Sequence, residues 1–306
     1  MMTLSRTLRP LLTLALGASL VCPAIAQESD LGPTLKKIAD SGTIYLGFRE
    51  AAVPFSYVTV ADKEKPQGYS WDVCGRIVKA IEGKIGKEIK VVPVVATANA
   101  RLMMVKVGMA DIECGATTHS LGREKLASFS NTIFVAEVGV LVRASSGLKS
   151  ANDLAGKRVV TTGGTTADRL VKQTALQRNI SIKQLVEPSH VQAMALLERG
   201  EADAYVADDA ILLGQRANST TPDQYVFLPN VVSSVEPYGL VLPKDDLAFK
   251  KLVDDALVTM MKSGEMATIY DKWFMQPIPP INQVLNHPIS DLNKTVFANP
   301  NDRPVN

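Results

Sequence analysis

The segment ECGATTHSLGREK, residues 113–125, places two threonines beside a glycine and an arginine five residues after the second threonine. The pattern predicts a strand followed by a helix, with Thr117 and Thr118 in the turn between them. Threonine hydroxyls and the free N–H groups at the start of a helix bind anions, and the planar guanidinium of Arg123 can bind both oxygens of one carboxylate. We therefore predict that Thr118 and Arg123 hold a carboxylate group.

A second segment, TTGGTTADRL (residues 161–170), repeats this arrangement. Its glycines permit a close approach of the backbone, and Thr165 or Thr166 is expected to cap the helix that follows. A helix cap alone explains one of these threonines, so ligand binding is one of two interpretations of the segment. No GKS or GKT follows the glycines, which excludes a phosphate-binding loop.

Four charged or titratable residues lie at the ends of predicted strands or the starts of predicted helices. Arg49 ends the first strand, and Arg101 begins a helix, where a cation is unfavourable unless an anion lies nearby. Asp208 ends the strand ADAYVAD and is suited to accept hydrogen bonds from an ammonium group, with ordinary helix capping as the alternative. His190 begins the helix HVQAMALLERG. A solvated position is the alternative for Arg49, and a cap or surface position is the alternative for His190.

Short β-branched runs alternate along the chain with amphipathic runs of helical length, which predicts an α/β fold with mainly parallel strands. The alternation restarts after Arg143, and two extended segments, residues 131–143 and 235–243, mark crossings between two lobes. Because ligands of open α/β sheets bind beyond the carboxyl ends of the strands, the cleft between the lobes is the expected site. The predicted division is lobe 1, residues 27–141 and 240–306, and lobe 2, residues 142–239.

Three further predictions concern local structure. The run SLGREKLASF, residues 120–129, is predicted to be a helix. A helical pattern from about Asp246 to Met275 predicts one long helix that completes lobe 1. The proline-rich tail after Gln276 cannot continue that helix and is expected to lie on the surface.

Residues 1–26 have the pattern of a cleavable export signal, with two arginines, an apolar run too short to span a bilayer and a small-residue cleavage site. Lipidation of Cys22 is the less favoured alternative, because Val21 precedes it where a lipoprotein site requires a small residue. We therefore expect a mature chain that begins at Gln27 and is soluble in an oxidising compartment.

Charge and cysteine content narrow the function further. The signal contains two of the 33 basic residues and none of the 31 acidic ones, so the mature chain has 31 of each. A neutral chain is a poor candidate for binding nucleic acid or anionic membranes. In an oxidising compartment, Cys74 and Cys114 are expected to form a disulfide, with two buried free thiols as the alternative. Two isolated cysteines do not make a zinc site, and we expect no metal and no cofactor.

Seven segments occur in order and cover most of the mature chain: FREAAVPFSY, GYSWDVC, DIECGATT, SLGREK, GGTTAD, ADAYVADDA and DKWFMQPIPP. In this combination the chain resembles the periplasmic solute-binding proteins of ABC importers for polar amino acids (family 3), most closely the members that bind glutamate and aspartate. The resemblance implies a type II two-lobed fold with two hinge crossings, which closes over its ligand. It also implies ABC permease subunits in the inner membrane as partners, and we expect a monomer.

The resemblance implies a role for each candidate residue. The implied contacts are the ligand α-carboxylate for Thr118, Arg123, Thr165 and Thr166, the α-ammonium for Asp208, and the side-chain carboxylate for Arg49, Arg101 and His190.

Two positions depart from the glutamate- and aspartate-binding members. Those members carry serines where this chain has Ala98 and Ala116, so two hydroxyl groups are missing.

Charge counting favours an acidic amino acid, glutamate, aspartate or a close analogue, as the ligand. Three arginines against Asp208 give the expected site a net charge near +2. A neutral amino acid would leave buried arginine charge unpaired, which is unfavourable.

Two other functions compete with transport. The first is a dehydratase-like enzyme on the same scaffold that acts on a small carboxylate, with Glu113, His119 and His190 as acid or base groups. The chain contains no G-x-S-x-G or H-E-x-x-H motif, which argues against it. The second is a sensor module that presents its ligand state to a receptor.

Overall fold

The computed structural model of the chain describes residues 31–229, 234–280 and 282–306. The predicted export signal, residues 1–26 with Cys22, and the predicted first mature residue Gln27 lie outside the described residues. Within those described ranges, every helix falls short, in length or in apolar character, of what a membrane crossing requires.

The part of the chain up to residue 143 alternates helices and strands as predicted. The elements are α1 (Gly32–Ser41), β1 (Thr43–Phe48), β2 (Ala51–Ala52), β3 (Ser56–Tyr57), α2 (Tyr69–Ile85), β4 (Lys90–Val95), α3 (Arg101–Lys106), β5 (Ile112–Glu113), α4 (Leu121–Glu124), β6 (Ser128–Phe129) and β7 (Phe134–Arg143).

The same alternation continues through the rest of the chain. The elements are β8 (Arg158–Thr162), α5 (Thr166–Gln177), β9 (Lys183–Glu187), α6 (His190–Glu198), β10 (Ala204–Asp208), α7 (Asp209–Ala217), β11 (Tyr225–Phe227), β12 (Val235–Tyr238), β13 (Val241–Leu242), α8 (Leu247–Ser263), α9 (Glu265–Phe274), β14 (Pro277–Ile278), β15 (Gln283–Val284) and α10 (Asp291–Ala298).

Two mixed sheets form the two lobes. The first has the strand order β4-β1-β5-β13-β6, with β1 parallel to β4 and to β5. The second has the order β11-β7-β10-β8-β9, with β8 parallel to β9 and to β10 and with β12 also paired to β7. The predicted two-lobed α/β fold is therefore confirmed. The prediction of mainly parallel sheets was wrong, because β13 is antiparallel to β5 and β6, and β7 is antiparallel to β10, β11 and β12.

Both predicted crossings connect the two sheets, since β6 in the first sheet is followed directly by β7 in the second. The first lies largely in β7, a ten-residue strand that is antiparallel to β10, β11 and β12 and is central to the second sheet. The second contributes β12 to β7 and then β13 to the first sheet, so it also passes between the sheets. The boundary predicted at residues 141 and 142 falls inside β7, and the residue-level division into lobes stays a prediction.

A cluster of buried aromatic rings joins these elements. The ring of Phe134, at the start of β7, lies 4.8 Å from Phe55, 5.2 Å from Phe274 and 5.8 Å from Tyr238, centroid to centroid. Aromatic pairs at such distances add to the stabilisation from burial. The cluster ties α9 to the start of β7 and to β12.

Two helix predictions were wrong in extent. Residues 120–129 contain only the short helix α4, because Ser128 and Phe129 instead pair with β13. The helical tract from Asp246 to Met275 is interrupted at Gly264, whose φ of 83° ends α8 and begins α9. Glycine adopts this left-handed conformation without the steric cost of a side chain.

The tail after Gln276 does not continue α9, as predicted, and it contains regular structure that was not predicted. It forms the hairpin of β14 and β15 and the helix α10. Asn293 on α10 is buried, accepts a hydrogen bond from the Val135 N–H at 2.8 Å and donates to the Val135 carbonyl at 3.0 Å. The tail therefore helps to hold the start of β7.

A disulfide joins Cys74 on α2 to Cys114 at the end of β5, with the sulfur atoms 2.07 Å apart. Both residues are buried. The bond links the helix layer to the backbone immediately before the turn of Thr117 and Thr118.

The double variant Cys74→Ala/Cys114→Ala is expected to lower the free energy of unfolding. The two cysteines are 40 positions apart. A bridge that closes a loop of this size stabilises a protein by about 3 to 4 kcal/mol, because it restricts the unfolded chain. Urea titration of the variant and of the wild-type protein, each with and without reductant, measures the effect. An unchanged wild-type midpoint on reduction would contradict the prediction.

Candidate functional site

The candidate residues lie at the carboxyl ends of strands in both sheets. Arg49 follows β1 directly, and Thr118 lies in the turn after β5. Thr166 follows β8, and Asp208 is the last residue of β10. Strand ends of this kind form the ligand-binding edge of open α/β sheets.

The three arginines form one buried cluster. Arg49, Arg101 and Arg123 are only 5%, 2% and 7% exposed. Burial and the neighbouring Arg101 lower the pKa of Arg49 to about 10 and that of Arg123 to about 9. Both side chains therefore stay protonated at neutral pH. Each lies close enough to Arg101 for the positive charge of Arg101 to lower its pKa.

Arg101 is the first residue of α3, where the helix dipole opposes its charge. Its Nη1 donates a hydrogen bond to the Ala98 carbonyl at 2.8 Å, while its buried Nε has no partner in the described part of the chain. The carboxylates of Glu113 and Asp208, in contrast to the helix dipole, favour the charged form of Arg101. The guanidinium thus retains an unused donor inside the cluster.

Arg123 and the two threonine turns meet across the lobes. Arg123 donates through Nη1 to the Thr118 carbonyl at 2.8 Å and through Nη2 to the Gly164 carbonyl at 3.3 Å. The Oγ1 atoms of Thr118 and Thr166 lie 3.5 Å apart. Thr165 is the helix cap, because its Oγ1 accepts from the Asp168 N–H at 3.2 Å. This leaves Thr166 as the hydroxyl that faces Thr118.

Asp208 does not cap the helix that follows it. Its Oδ2 accepts a hydrogen bond from the Tyr238 hydroxyl, and its buried Oδ1 has no partner within residues 31–229, 234–280 and 282–306. Burial and the nearby Glu236 carboxylate raise the pKa of Asp208 to about 7. The side chain is thus a strong acceptor with one oxygen available.

His190 is a buried hydrogen-bonding group and does not cap α6. Ser189 provides that cap, by accepting from the Gln192 N–H at 3.3 Å. The His190 Nδ1 lies 3.0 Å from the Thr162 hydroxyl and 2.8 Å from the Tyr205 hydroxyl. Burial, with Arg49 and Arg101 nearby, lowers the pKa of His190 well below its usual range, so the ring is neutral at neutral pH.

Two buried glutamates belong to the same cluster: Glu113 was considered only as an acid or base group of the competing enzyme, and Glu236 was not predicted. Glu113 accepts a hydrogen bond from the Thr117 hydroxyl at 2.7 Å and favours the charge of Arg49 and Arg101. The carboxylate of Glu236 raises the pKa of Asp208 and favours the charged form of Arg123. The expected net charge near +2 was therefore wrong, because three buried carboxylates face three buried arginines. The sequence signal was an acidic residue inside a short apolar strand, in DIEC and in VEPYGLV.

Charge is nevertheless distributed unevenly over the cluster. Arg49 and Arg101 lie with Glu113 and the neutral His190, so that region carries an excess of positive charge. Asp208 and Glu236 act together on Arg123, and the exposed Arg169 also affects the pKa of Arg123. The arrangement suits a ligand with a carboxylate at one end and an ammonium near the other.

The two alanine positions lie beside this cluster. Ala98 is buried and contributes its carbonyl to Arg101, and Ala116 packs partly buried against the core. Neither side chain can supply a hydroxyl. The effect of the missing hydroxyls on ligand preference stays a prediction.

His119, a candidate for acid or base catalysis, belongs to a separate group of residues. Its ring stacks on Phe129 at 4.4 Å, and its Nε2 lies 2.7 Å from a Glu124 oxygen. The charges that influence it are those of Glu124, Asp302 and Lys250. The part of the chain that the structure describes also contains no group of three or more His, Cys, Asp or Glu residues suited to a metal ion.

A second contact between the lobes involves α7 and the segment after β1. The buried Gln215 donates through Nε2 to the Ala51 carbonyl at 3.0 Å. Gly214 packs so closely that an added Cβ would lie 2.4 Å from the Val53 carbonyl oxygen. The two lobes are therefore in direct contact on this side of the cleft.

Two α/β lobes that bring arginines and carboxylates together at their strand ends define the class of two-lobed solute-binding proteins. The chain belongs to the bacterial extracellular solute-binding proteins, family 3, whose family model matches residues 44–276.

Several proteins are similar over most of their length. The L-glutamate/L-aspartate-binding protein of Pseudomonas aeruginosa is 40% identical over 292 residues, which cover 95% of each chain. The glutamate/aspartate import solute-binding protein of Escherichia coli K12 is 38% identical over 312 residues, covering 100% of each chain. Among solved structures, a mutant of ArgBP from T. maritima is similar with a TM-score of 0.70 and 25% identity, covering 80% of this chain and 100% of that one.

Proposed function

We propose that this protein binds L-glutamate, L-aspartate or a close acidic analogue and delivers it to an ABC-type permease. The observation that carries the proposal is the meeting of Arg49, Arg101 and Arg123 in one buried cluster beside Asp208. The names of relatives 38% to 40% identical over nearly the whole chain support the same ligand class.

The proposed ligand lies between the two threonine turns. Its α-carboxylate accepts hydrogen bonds from Arg123 and from the hydroxyls of Thr118 and Thr166, while Thr165 shapes the turn as the helix cap. Charge-assisted bonds of this kind are roughly twice as strong as neutral ones. The α-ammonium donates to Asp208, whose Oδ1 has no other partner among the described residues.

The side-chain carboxylate of the ligand extends to the opposite end of the cluster. There the unused Nε donor of Arg101 and the guanidinium of Arg49 provide positive charge. His190 supports this end as a neutral ring. A glutamine would place an uncharged amide beside the excess positive charge, which is less favourable.

The proposal includes export to the periplasm, a monomeric chain and a permease in the inner membrane as the partner. Closure of the lobes over the ligand then creates the surface that the permease recognises. Contacts of Arg123 with Gly164 and of Gln215 with Ala51 support a closed form held by both lobes.

We also propose that the protein is not an enzyme. The three groups considered for acid or base catalysis do not form one set, because His119 interacts with Glu124 and Phe129, whereas Glu113 and His190 lie beside the arginines. Recovery of unaltered ligand after prolonged incubation would support this, and conversion to a new product would contradict it.

A thermal-shift screen of the purified chain from Gln27 onward tests the ligand class. A ligand that binds only the folded state at a hundredfold excess over its Kd stabilises it by about 2.7 kcal/mol. We expect L-glutamate and L-aspartate to raise the melting temperature by several degrees, and glutamine and arginine to have little effect. Calorimetry that shows tight binding of glutamine or arginine and none of the acidic amino acids would overturn the proposal.

Gly214→Ala is expected to weaken ligand binding by about tenfold or more. The added methyl group meets the Val53 carbonyl only when the lobes are together, so the variant favours the open form. Within α7 itself, alanine is about 1 kcal/mol more favourable than glycine, so the unliganded variant should not lose stability. Calorimetry gives the affinity. Gly83→Ala is the matched control, because a Cβ at this position in α2 meets nothing within 4 Å. Equal affinities for the two variants would contradict the prediction.

A further inference from the structure

Glu236 is a buried carboxylate that the proposed ligand contacts leave without a role. It lies in β12, is 2% exposed, and accepts one hydrogen bond, from the Ser234 hydroxyl to Oε1 at 3.0 Å. Its buried Oε2 has no hydrogen-bond partner among the residues that the structure describes. A buried oxygen without a partner is unfavourable and calls for a physical explanation.

The strand register places Glu236 and Asp208 on one face of the second sheet. Asp208 pairs with Val138 across one edge of β7, and Glu236 pairs with Ala136 across the other. Directly paired residues point to the same face, as do residues two positions apart on a strand. Tyr238, two residues after Glu236, confirms the shared face because its hydroxyl donates to Asp208.

The same segment is bonded to the anion-binding turn. The His119 N–H donates to the Pro237 carbonyl at 2.7 Å, and the Gly239 N–H donates to the Thr117 carbonyl at 3.1 Å. Thr118 forms an isolated bridge with Tyr238. The backbone of β12 therefore continues from the turn that holds Thr118 toward the two carboxylates.

Within the described part of the chain, each of the two carboxylates has an oxygen without a hydrogen-bond partner, and their charges repel. Glu236 is one of the causes that raise the pKa of Asp208, and both acids favour the charge of Arg123. An ammonium group carries three donors and one positive charge, so it can satisfy both oxygens and relieve the repulsion. A ligand without an amine would bring further negative charge to the same place.

We propose that Glu236 is a second acceptor for the ligand ammonium, and that together with Asp208 it makes the site select acidic amino acids over dicarboxylates without an amine. This inference rests on the proposed function. It assigns the discrimination to two carboxylates on different strands and not to Asp208 alone.

Calorimetry with L-glutamate and glutarate tests the proposal, because the two ligands differ by the amino group alone. Glu236→Gln preserves the size of the side chain and the acceptor for Ser234. We expect it to weaken L-glutamate binding at least tenfold while glutarate binding is unchanged or stronger, so that the ratio of the two affinities falls at least tenfold. Glu137→Gln, an exposed glutamate on β7, is the matched control and should leave the ratio unchanged.

Two results would overturn the proposal. One is an unchanged ratio in Glu236→Gln, and if both affinities fall equally to give it, the residue has a structural role. The other comes from Asp208→Asn, which should retain at least a tenfold preference for L-glutamate because Glu236 remains. A ratio near one in that variant would assign the selection to Asp208 alone. A wild-type protein that binds no acidic amino acid would instead refute the proposed function, so the two failures are distinguishable.

Discussion

Arg123→Met lowers the affinity for L-glutamate at least about a hundredfold. Arg123 is proposed to bind the ligand α-carboxylate with two charge-assisted hydrogen bonds, each contributing about 1.5 to 3 kcal/mol. Its guanidinium also bridges the lobes through the Gly164 carbonyl. The loss of about 3 kcal/mol or more corresponds to a hundredfold increase in Kd, which calorimetry measures directly.

The matched control is Arg178→Met, which removes an exposed arginine at the end of α5. We expect its Kd to stay within about twofold of the wild-type value, since surface substitutions rarely exceed about 0.5 kcal/mol. Equal affinities of Arg123→Met and Arg178→Met would remove Arg123 from the site. Circular dichroism of both variants verifies that each is folded.

Asp208→Asn weakens L-glutamate binding by about thirtyfold or more. The variant keeps the shape of the side chain but loses the negative charge that faces the ammonium, which costs about 2 to 3 kcal/mol for a buried charged pair. Asp223→Asn, an exposed aspartate before β11, is the control and should bind as the wild type does. A variant Kd within threefold of the control would contradict the proposed ammonium contact.

The same residue makes the wild-type affinity depend on pH. The charged groups that act on Asp208 are Glu236 and Asp209, which raise its pKa, and Arg123, which lowers it; the hydrogen bond from Tyr238 lowers it as well. The net pKa is about 7, mainly because of burial. A bound ammonium favours the ionised carboxylate, so the pKa falls on binding and a proton is released near neutral pH.

The affinity should therefore rise with pH up to about 7, by as much as tenfold per pH unit, and be nearly constant above it. Asp208→Asn should show a weaker dependence between pH 5.5 and 8. Calorimetry in two buffers with different ionisation enthalpies counts the released protons. An affinity that increases as the pH is lowered from 7 to 5.5 would contradict the assignment.

The α/β class and most of the elements could be predicted from the sequence because each depends on a local pattern. The apolar residues Val73, Ile77 and Ile81 recur every four positions in α2, and all three are buried. The strand VVTT before the second threonine turn forms most of β8. Gly264 follows a basic residue in the last turn of α8, which is a typical signal for the end of a helix. The prediction of one long helix did not take this signal into account.

Where the local sequence pattern predicted the wrong structure, pairing with residues distant in the chain determined the structure instead. Phe129 lies in a run with helical periodicity, but it pairs with Val241 in β13 and stacks on His119. No local sequence pattern indicates that Asn293 in the tail is buried. Its side-chain amide nevertheless forms hydrogen bonds with both the N–H and the carbonyl of Val135. Such contacts join residues that are far apart in the chain, so no window of sequence contains both partners.

The site also contains some residues that could be predicted from the sequence and others that could not. The positions of Arg49, Thr118 and Asp208 could be predicted, because residues at the ends of strands meet at one edge of an α/β sheet. Arg123 could be predicted because it follows Thr118 by five residues, at the start of the next helix. Their ligand contacts stay predictions. Glu236 was not predicted, and Glu113 was considered only as an acid or base group of an enzyme, although both lie buried in the cluster.

The order of residues was sufficient for the architecture, the strand-end arginines and the family, because periodicity and motif spacing are properties of neighbouring residues. The charge balance of the cleft required the folded chain. Whether Glu236 faces solvent or Asp208 depends on the register of β12 and β10 against β7, and that register arises only when distant segments pair.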